Sequence, residues 1–467
     1  MFIGIKEPFY PTAEQQQVLN QWIGCFRFIW NAKVQEDQYY YRFASKFFPK
    51  EYAYKCQDYQ YSRFKNRELS PWLYQVPSQI LRNAAKRWYD TKINAIKGIC
   101  GHPKIHRKQS RGSVYLTNEL FSFEFGKQTI LHIGTKKYPV GSFVLANRRK
   151  FTMPKSITVV REGTGKWFVC FGYDKPSTGE QDLLSLNEHL TQLRLLDDED
   201  LQAVVVGLDM GVAVPVASSQ EEVGNFTYDQ VHQHRLARLE HKKARLQKKL
   251  SRQELGSNRR ERTKRRLAKV HADIANIRNE FAHQTSRKIV DSDNQVFVFE
   301  KLNTKGMTKR AKSKQDPITG KWLKNGQSAK SGLNKAILNI GWHKVRSYIT
   351  YKAERMNKAV FTIPAPHTSQ ACAKCGHTHP DNRKTQDVFC CIACGHKDNA
   401  DHNAACVIAN IAIKAIKHTG TVLDGNLLKV PSIGHRENVR RLERSKGCNL
   451  NEVSKKTESR DSRSHAL

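Results

Sequence analysis

Cys372-Ala373-Lys374-Cys375-Gly376 and Cys391-Ile392-Ala393-Cys394-Gly395 give the spacing C-x₂-C-x₁₅-C-x₂-C. Four thiolates so placed close a tetrahedron around one Zn²⁺, and the glycine after each pair lets the chain turn beneath the metal. A site of that kind is structural: it stabilises a small ribbon and leaves no open position for chemistry. Cys390, beside Cys391, is an alternative ligand, whereas His377, His379 and His396 read as loop residues. Cys25, Cys56, Cys100, Cys170 and Cys448 are scattered singly. One cluster among singles fits a metal site in a reducing cytosol and not a secreted disulfide framework.

Three carboxylates carry the second kind of chemistry. Ala203-Val204-Val205-Val206-Gly207-Leu208-Asp209 is an apolar run that delivers an acid at its end, and Val296-Phe297-Val298-Phe299-Glu300 repeats the pattern 91 residues later. A charge at the end of a buried strand is costly unless a cation compensates it. Asp401 opens Asp401-His402-Asn403-Ala404-Ala405, ahead of a helical stripe of Val407, Ile408, Ile411, Ala412 and Ala415. Singly, each acid has a plainer reading: a strand-end surface charge for Asp209 or Glu300, an N-cap for Asp401. Jointly, the order strand-Asp, hairpin, helices, strand-Glu, helix, strand (Ala359 to Ile363), Asp on a last helix reproduces the topology of the ribonuclease H superfold. Hard oxygen donors gathered at one cleft suit two catalytic Mg²⁺ ions, or Mn²⁺ in their place, held about 4 Å apart for phosphodiester hydrolysis.

These groups need elements to position them. Thr12-Ala13-Glu14-Gln15 reads as a capping box, and Leu19, Trp22, Ile23, Phe26 and Trp30 follow at helical spacing. A second helix, capped by Ser78, presents Ile80, Leu81, Ala84, Ala85 and Trp88. From Ser113 to Phe171 the period changes to two, with Gly163 to Gly165 as a hairpin turn. Leu236, Leu239, Leu246 and Leu250, then Leu267, Val270, Ile274, Ile277 and Phe281, predict a helical hairpin turning at Gly256-Ser257-Asn258. Between Arg235 and Lys269 it carries fifteen Lys or Arg against three Glu. Such an asymmetry leaves few ion pairs within the helices and suits tracking of phosphates. Arg259, Arg260, Arg262, Lys264, Arg265 and Arg266 are the candidate nucleic-acid-binding residues.

The expected architecture is multi-domain, α+β and α/β. Residues 1–12 and 101–175 form an antiparallel β domain, which the resemblance described below implies to be a β-barrel, 13–100 an inserted helical lobe and 176–202 a linker, the last on the strength of Pro176, Gly179 and the run Asp197-Asp198-Glu199-Asp200. Residues 203–418 form a ribonuclease H-like domain that includes the basic hairpin 235–290 and a zinc ribbon 367–398. Thr308 to Gly332 reads as a mobile loop and 419–467 as a largely disordered basic tail.

Lys and Arg number 79 against 43 Asp and Glu, a formal charge of +36 over 467 residues. A surface of that sign attracts a polyanion. No run reaches the ~18 apolar residues of a spanning helix, and Met1 to Thr12 lacks a signal-peptide pattern. Nucleic acid is therefore the expected partner and not a membrane, and the expected location is the bacterial cytoplasm, on the nucleoid when the protein is bound to DNA.

Gly207-Leu208-Asp209-Met210-Gly211, Phe299-Glu300-Lys301-Leu302-Asn303, Thr368-Ser369-Gln370-Ala371-Cys372 and Asp401-His402-Asn403-Ala404-Ala405 resemble the TnpB (OrfB) family encoded by insertion sequences, related to the type V CRISPR effectors. The resemblance extends over most of the chain, thins in residues 36–75 and ends in the tail. It implies a wedge-like barrel and a helical recognition lobe ahead of a RuvC nuclease domain. It also implies a guide RNA from the protein's own locus, target DNA read beside a short adjacent motif, and Asp209 as the carboxylate bridging both metal ions. The rival readings are a transposase that performs strand transfer with the same acids, and a zinc-ribbon DNA-binding regulator without cleavage.

Overall fold

The computed structural model describes residues 2–43, 46–47, 59–108, 111–146, 151–174 and 183–431. The chain divides into two compact units, Met1–Asp182 with Asp229–Ile277, and Leu183–Tyr228 with Arg278–Leu467.

The first unit opens with β1 (Phe2–Phe9), α1 (Ala13–Arg42) and α2 (Ser78–Ile96). Six strands follow: β2 (Gly112–Thr117), β3 (Phe121–Phe125), β4 (Thr129–Gly134), β5 (Pro139–Leu145), β6 (Ser156–Arg161) and β7 (Trp167–Asp174). The capping box forms as its residues predict, with Thr12 Oγ1 accepting from the Gln15 N–H at 3.3 Å and Gln15 Oε1 accepting from the Thr12 N–H at 2.9 Å. Ser78 does not cap α2; Pro77 occupies that position without a side-chain bond. Its ring fixes the backbone at the helix entrance instead.

The strands make two antiparallel sheets, β1-β7-β6-β2 and β3-β4-β5, and among the described residues no strand pairing joins them. Both sheets and both helices meet in one core that includes Phe9, Leu19, Trp22, Phe26, Leu81, Leu116, Leu131, Phe143 and Phe171. Residues 13–100 therefore keep only a small interior of their own, Trp30, Val34 and Trp88, and bury most of their apolar side chains in this shared core. The apolar faces of α1 and α2 are covered by the sheets as well as by each other.

Further along lie α3 (Leu186–Leu193), α4 (Asp198–Val204), β8 (Val205–Asp209), β9 (Ala217–Ser218), α5 (Gln230–Ser251), α6 (Asn258–Val290) and β10 (Val296–Glu300). After them come α7 (Thr304–Met307), the short pair β11 (Lys314–Gln315) and β12 (Trp322–Leu323), α8 (Gln327–Ile340), α9 (Trp342–Arg355) and β13 (Ala359–Ile363). The last are β14 (Val388–Cys390), β15 (Lys397–Asn399), α10 (Ala400–Lys417), β16 (Val422–Asp424) and β17 (Leu427–Lys429).

The second unit is built on the sheet β16-β17-β13-β10-β8-β9. Strands β8, β10 and β13 run parallel, and β9 returns antiparallel to β8. A parallel sheet must be covered on both faces, and alternate residues show how. Val205, Val296, Val298, Ala359, Phe361 and Ile363 pack with Ile408, Ala412 and Ile416 of α10, and with Leu190, Leu193 and Leu201 of α3 and α4. Val206, Leu208, Phe297, Phe299 and Val360 pack instead with Phe281 and Ile289 of α6 and with Ile340, Val345 and Ile349 of α8 and α9.

Further expectations change. The described part of the linker, from residue 183, holds α3 and α4, and the acidic run is the cap and first turn of α4, where Asp197 accepts from the Asp200 N–H at 2.8 Å. Carboxylates belong at a helix N-terminus. Ala203 and Val204 end that helix, so the strand begins at Val205. The tail is ordered as far as residue 431, because β17 adds to β13 and β16 folds back on it, burying Leu427 and Leu428; the remainder of the tail lies outside the described residues. The loop 308–332 contains the β11-β12 pair and the start of α8. The hairpin α5-α6 forms as predicted, but α6 enters the sheet core only from Phe281 onward, and residues up to Ile277 group with the first unit.

Candidate functional site

Register fixes where two of the acids lie. Val296 pairs with Val205 and Val298 with Gly207 across the parallel β10-β8 ladder. Asp209 and Glu300, one step of the same alternation beyond those pairs, share the sheet face that α10 covers. The third acid, Asp401, is in the first turn of α10.

Gly207 permits this approach. A Cβ there would collide with the Ala405 carbonyl oxygen and come within 2.7 Å of the Ala409 nitrogen, both backbone atoms of α10. Gly211 sits close in as well, since a Cβ on it would lie 3.7 Å from Asp401 Oδ2. The Trp342 indole N–H of α9 donates to the Gly211 carbonyl at 3.0 Å and holds the loop that follows Asp209.

The helix cap belongs to a different residue. Asn399 Oδ1 accepts from the N–H groups of Asp401 and His402 at 3.0 and 3.2 Å. The Asp401 carboxylate is therefore free of capping and faces the other acids, where Arg383 Nη2 donates to its Oδ1 at 3.1 Å. Burial, then the charges of Glu300 and Asp401, push the Asp209 carboxyl up to about 7. Burial also raises Glu300, against the opposing effect of the Thr368 hydroxyl, which donates to its Oε1. Beside Glu300 a cleft of about 90 Å³ opens, with His343 and Arg346 on its wall. Three oxygen-donor acids with one ion-paired arginine leave a surplus of negative charge, the condition that a hard divalent cation relieves.

Cys372, Cys375, Cys391 and Cys394 form the second centre, their four sulfurs all within 4.8 Å of one another. Each pair is bent into a knuckle: the Gly376 N–H donates to the Cys372 carbonyl at 2.9 Å and the Gly395 N–H to the Cys391 carbonyl at 3.0 Å. Both glycines have positive φ, 75° and 69°. Cys390 stays on β14 outside the group. Asn382 bridges the knuckles, donating to the Gln370 and His377 carbonyls at 2.9 and 3.0 Å and accepting from the Ile392 N–H at 3.0 Å. Asn403 of α10 accepts from the Ala373 N–H at 3.0 Å and donates to the Ala371 carbonyl at 2.8 Å, which fastens the first knuckle to the helix bearing Asp401. Four soft thiolates at this separation fit one Zn²⁺.

Of the basic hairpin residues, Arg259, Arg262, Lys264, Arg265 and Arg266 are exposed, and Lys264 pairs with Glu261 at 3.1 Å. Arg260 is turned inward: its guanidinium donates to the carbonyls of Leu250 and, at 2.9 Å, Gln253, closing the end of α5. It is a structural cation and leaves the candidate set. Arg383, Asn399 and Asn382 were not singled out from the sequence, having no motif around them. Thr368 and Asn403 lie inside the segments Thr368–Cys372 and Asp401–Ala405, whose spacing alone does not distinguish them.

Three family models match parts of the chain: a probable transposase model, OrfB, over residues 194–311, a Cas12f1-like TNB domain over 342–408, and a helix-turn-helix domain over 1–44. In this chain the described part of that last segment is a strand followed by one helix. A protein of Escherichia coli K12 named as an RNA-guided DNA endonuclease, InsQ, is 28% identical over 409 residues, covering 86% of this chain and 90% of its own. A CRISPR-associated endodeoxyribonuclease, Cas12f1, from Sulfoacidibacillus thermotolerans is 28% identical over 263 residues, 54% of this chain and 51% of its own. The chain also shares its fold with Cas12f1 in the cryo-EM structure of a Cas12f1-sgRNA-target DNA complex, at a TM-score of 0.54 and 12% identity over 88% of this chain and 99% of that one. Asp209 and Glu300 fall within the transposase match and the four cysteines and Asp401 within the TNB match, so the segments that hold both centres are similar to the OrfB (TnpB) family.

Proposed function

We propose that the protein is an RNA-guided DNA endonuclease whose active site is Asp209, Glu300 and Asp401. The observation that carries this reading is the gathering of three carboxylates from β8, β10 and α10 into one partly buried cleft where their charges oppose one another. Two Mg²⁺ ions, or Mn²⁺, bound there would supply Lewis acidity toward the scissile phosphate and toward water. Asp209, Glu300 and Asp401 are the residues that would hold them, Asp209 lying under the charge of both other acids. The Thr368 hydroxyl keeps the Glu300 carboxylate turned in one direction. Arg383 holds Asp401, and its guanidinium is of the kind that pairs with phosphate oxygens.

The remaining assignments follow the same reading. Residues 1–175 serve as the wedge and recognition part, the four cysteines bind one structural Zn²⁺, and Arg259, Arg262, Arg265 and Arg266 track phosphate without reading sequence. A guide RNA and its DNA target are the partners, in keeping with the names of InsQ and of the Cas12f1 complex.

Asp401→Asn is the sharpest test. Asn399 caps α10, so the helix keeps its start, while the amide is a poorer ligand for Mg²⁺. Guide-dependent cleavage should fall to background with target binding retained. Cleavage at the wild-type rate would remove Asp401 from the site. The transposase description of the family favours a second reading, strand transfer by the same acids, and product analysis on a transposon-end substrate separates joined from merely cut strands.

A further inference from the structure

A cleft of about 810 Å³ in the first unit is lined by Arg27, Arg87, Arg107 and Arg111 together with His106 and Trp30. No lining residue is acidic, and among the described residues none of these four arginines is in an ion pair with a carboxylate. Guanidinium groups facing one space without counter-charge repel each other, and their planar forks match phosphate oxygens.

The aromatic pair supplies the second, independent feature. The His106 ring lies flat on Trp30, with centroids 4.7 Å apart and planes within 7°. Trp30 is held by its indole N–H, which donates to the Lys104 carbonyl at 2.9 Å. Asn31 clamps the His106 backbone from both sides, donating to its carbonyl at 2.9 Å and accepting from its N–H at 2.8 Å. His106 itself is exposed, so the imidazole is a fixed shelf with a wet outer face. Burial, then Arg87 and Arg27, pull the imidazole below its ordinary value, which keeps the shelf neutral.

Cationic forks beside an aromatic shelf are how proteins hold unpaired nucleotides, with phosphates on the charges and a base on the ring. The volume is that of a small-ligand pocket, too narrow for a double helix. Thr91, Ser113 and Thr158 line the same cleft and offer hydroxyls to a ribose 2′-OH. We propose that this cleft seats an unpaired stretch of the guide RNA, with phosphates on Arg27, Arg87, Arg107 and Arg111 and one base stacked on His106. The proposal rests on the RNA-guided reading above and adds a location to it.

The test uses the full-length protein and an oligouridylate of about 12 nucleotides, carrying 4-thiouridine for photo-crosslinking, with oligothymidylate as competitor. Crosslinks should map to peptides containing Trp30 or His106. His106→Ala should lower their yield at least about fivefold, the equivalent of one lost stacking contact. Arg107→Gln, also an exposed change, should reduce the salt slope of oligouridylate binding by about 0.7. Arg265→Glu with Arg266→Glu should leave the crosslink in place. Crosslinks found only on the hairpin, or an undiminished yield in His106→Ala together with an unchanged salt slope in Arg107→Gln, would overturn the proposal. Equal competition by oligothymidylate would overturn the choice of RNA. Since crosslinking requires no cutting, guide-independent cleavage by the wild-type protein would count against the functional reading alone.

Discussion

The two centres of the second unit are made in opposite ways. The cysteine cluster closes on itself: its knuckles are local turns, and Asn382 satisfies backbone groups of both within about twenty residues of sequence. The carboxylate cleft is assembled at long range from three elements, and nothing local would hold its acids together. The first centre is satisfied by geometry, with four sulfurs at ligand distance. The second is left charged and partly desolvated, with Asp209 pushed up to about 7. A centre that only stabilises can be complete in itself, whereas one that is to bind a cation and a phosphate must stay electrostatically incomplete until they arrive.

Gly207→Ala should have the largest effect, because it strikes the join between the centres. The added methyl would meet the α10 backbone, which cannot move aside as a side chain can, and overpacking of that kind costs about 3 kcal/mol. Calorimetry should show a melting temperature lower by about 10 °C, with loss of nuclease activity and with zinc retained, because Asn382 still ties the two knuckles together where the Asn403 bonds from α10 loosen. Full activity with unchanged melting would mean that α10 is not seated as described.

Breaking the other side should have a smaller reach. Cys394→Ser should lose about one zinc per chain and loosen the ribbon, since the metal supplies local folding energy. Cys390→Ser should keep the zinc. Metal analysis giving the reverse pattern would exchange Cys390 into the ligand set.

The mildest change sharpens the electrostatic half of the comparison. A carboxyl raised in the folded state above its ordinary 3.8 binds its proton more tightly folded than unfolded. In magnesium-free buffer Asp209 therefore costs nothing below that value, and stability declines as the pH rises toward about 7. Asp209→Asn should flatten this decline and raise the melting temperature above pH 7. A wild-type protein whose stability rises across the same window would contradict the raised carboxyl.

The cysteine spacing and the two strand-end acids were legible because short-range pattern determines them. The apolar run to Glu300 is a strand as read, and the run to Asp209 only from Val205. The alternatives open for Asp401 needed the structure, because a cap and a ligand look alike in sequence until Asn399 is seen bonded to the first turn. Arg260 was indistinguishable from its neighbours in a basic run; only the meeting of α5 and α6 turns it toward carbonyls. Strands of three residues such as β16 and β17 are too short to show a period, and α3 and α4 were hidden by a composition that resembles a linker.

The contact between Gly207 and Ala405 joins positions nearly two hundred residues apart. During synthesis the strand bearing Asp209 leaves the ribosome long before α10 exists to cover it, and the acid-bearing face stays without its third carboxylate until Asp401 has followed. Domains with such non-local closure are late to mature. On the proposed function, the growing chain would pass most of its synthesis as a basic, nucleic-acid-attracting polypeptide without a complete site, and the ability to break DNA would switch on only after the cysteine-bearing segment has been made.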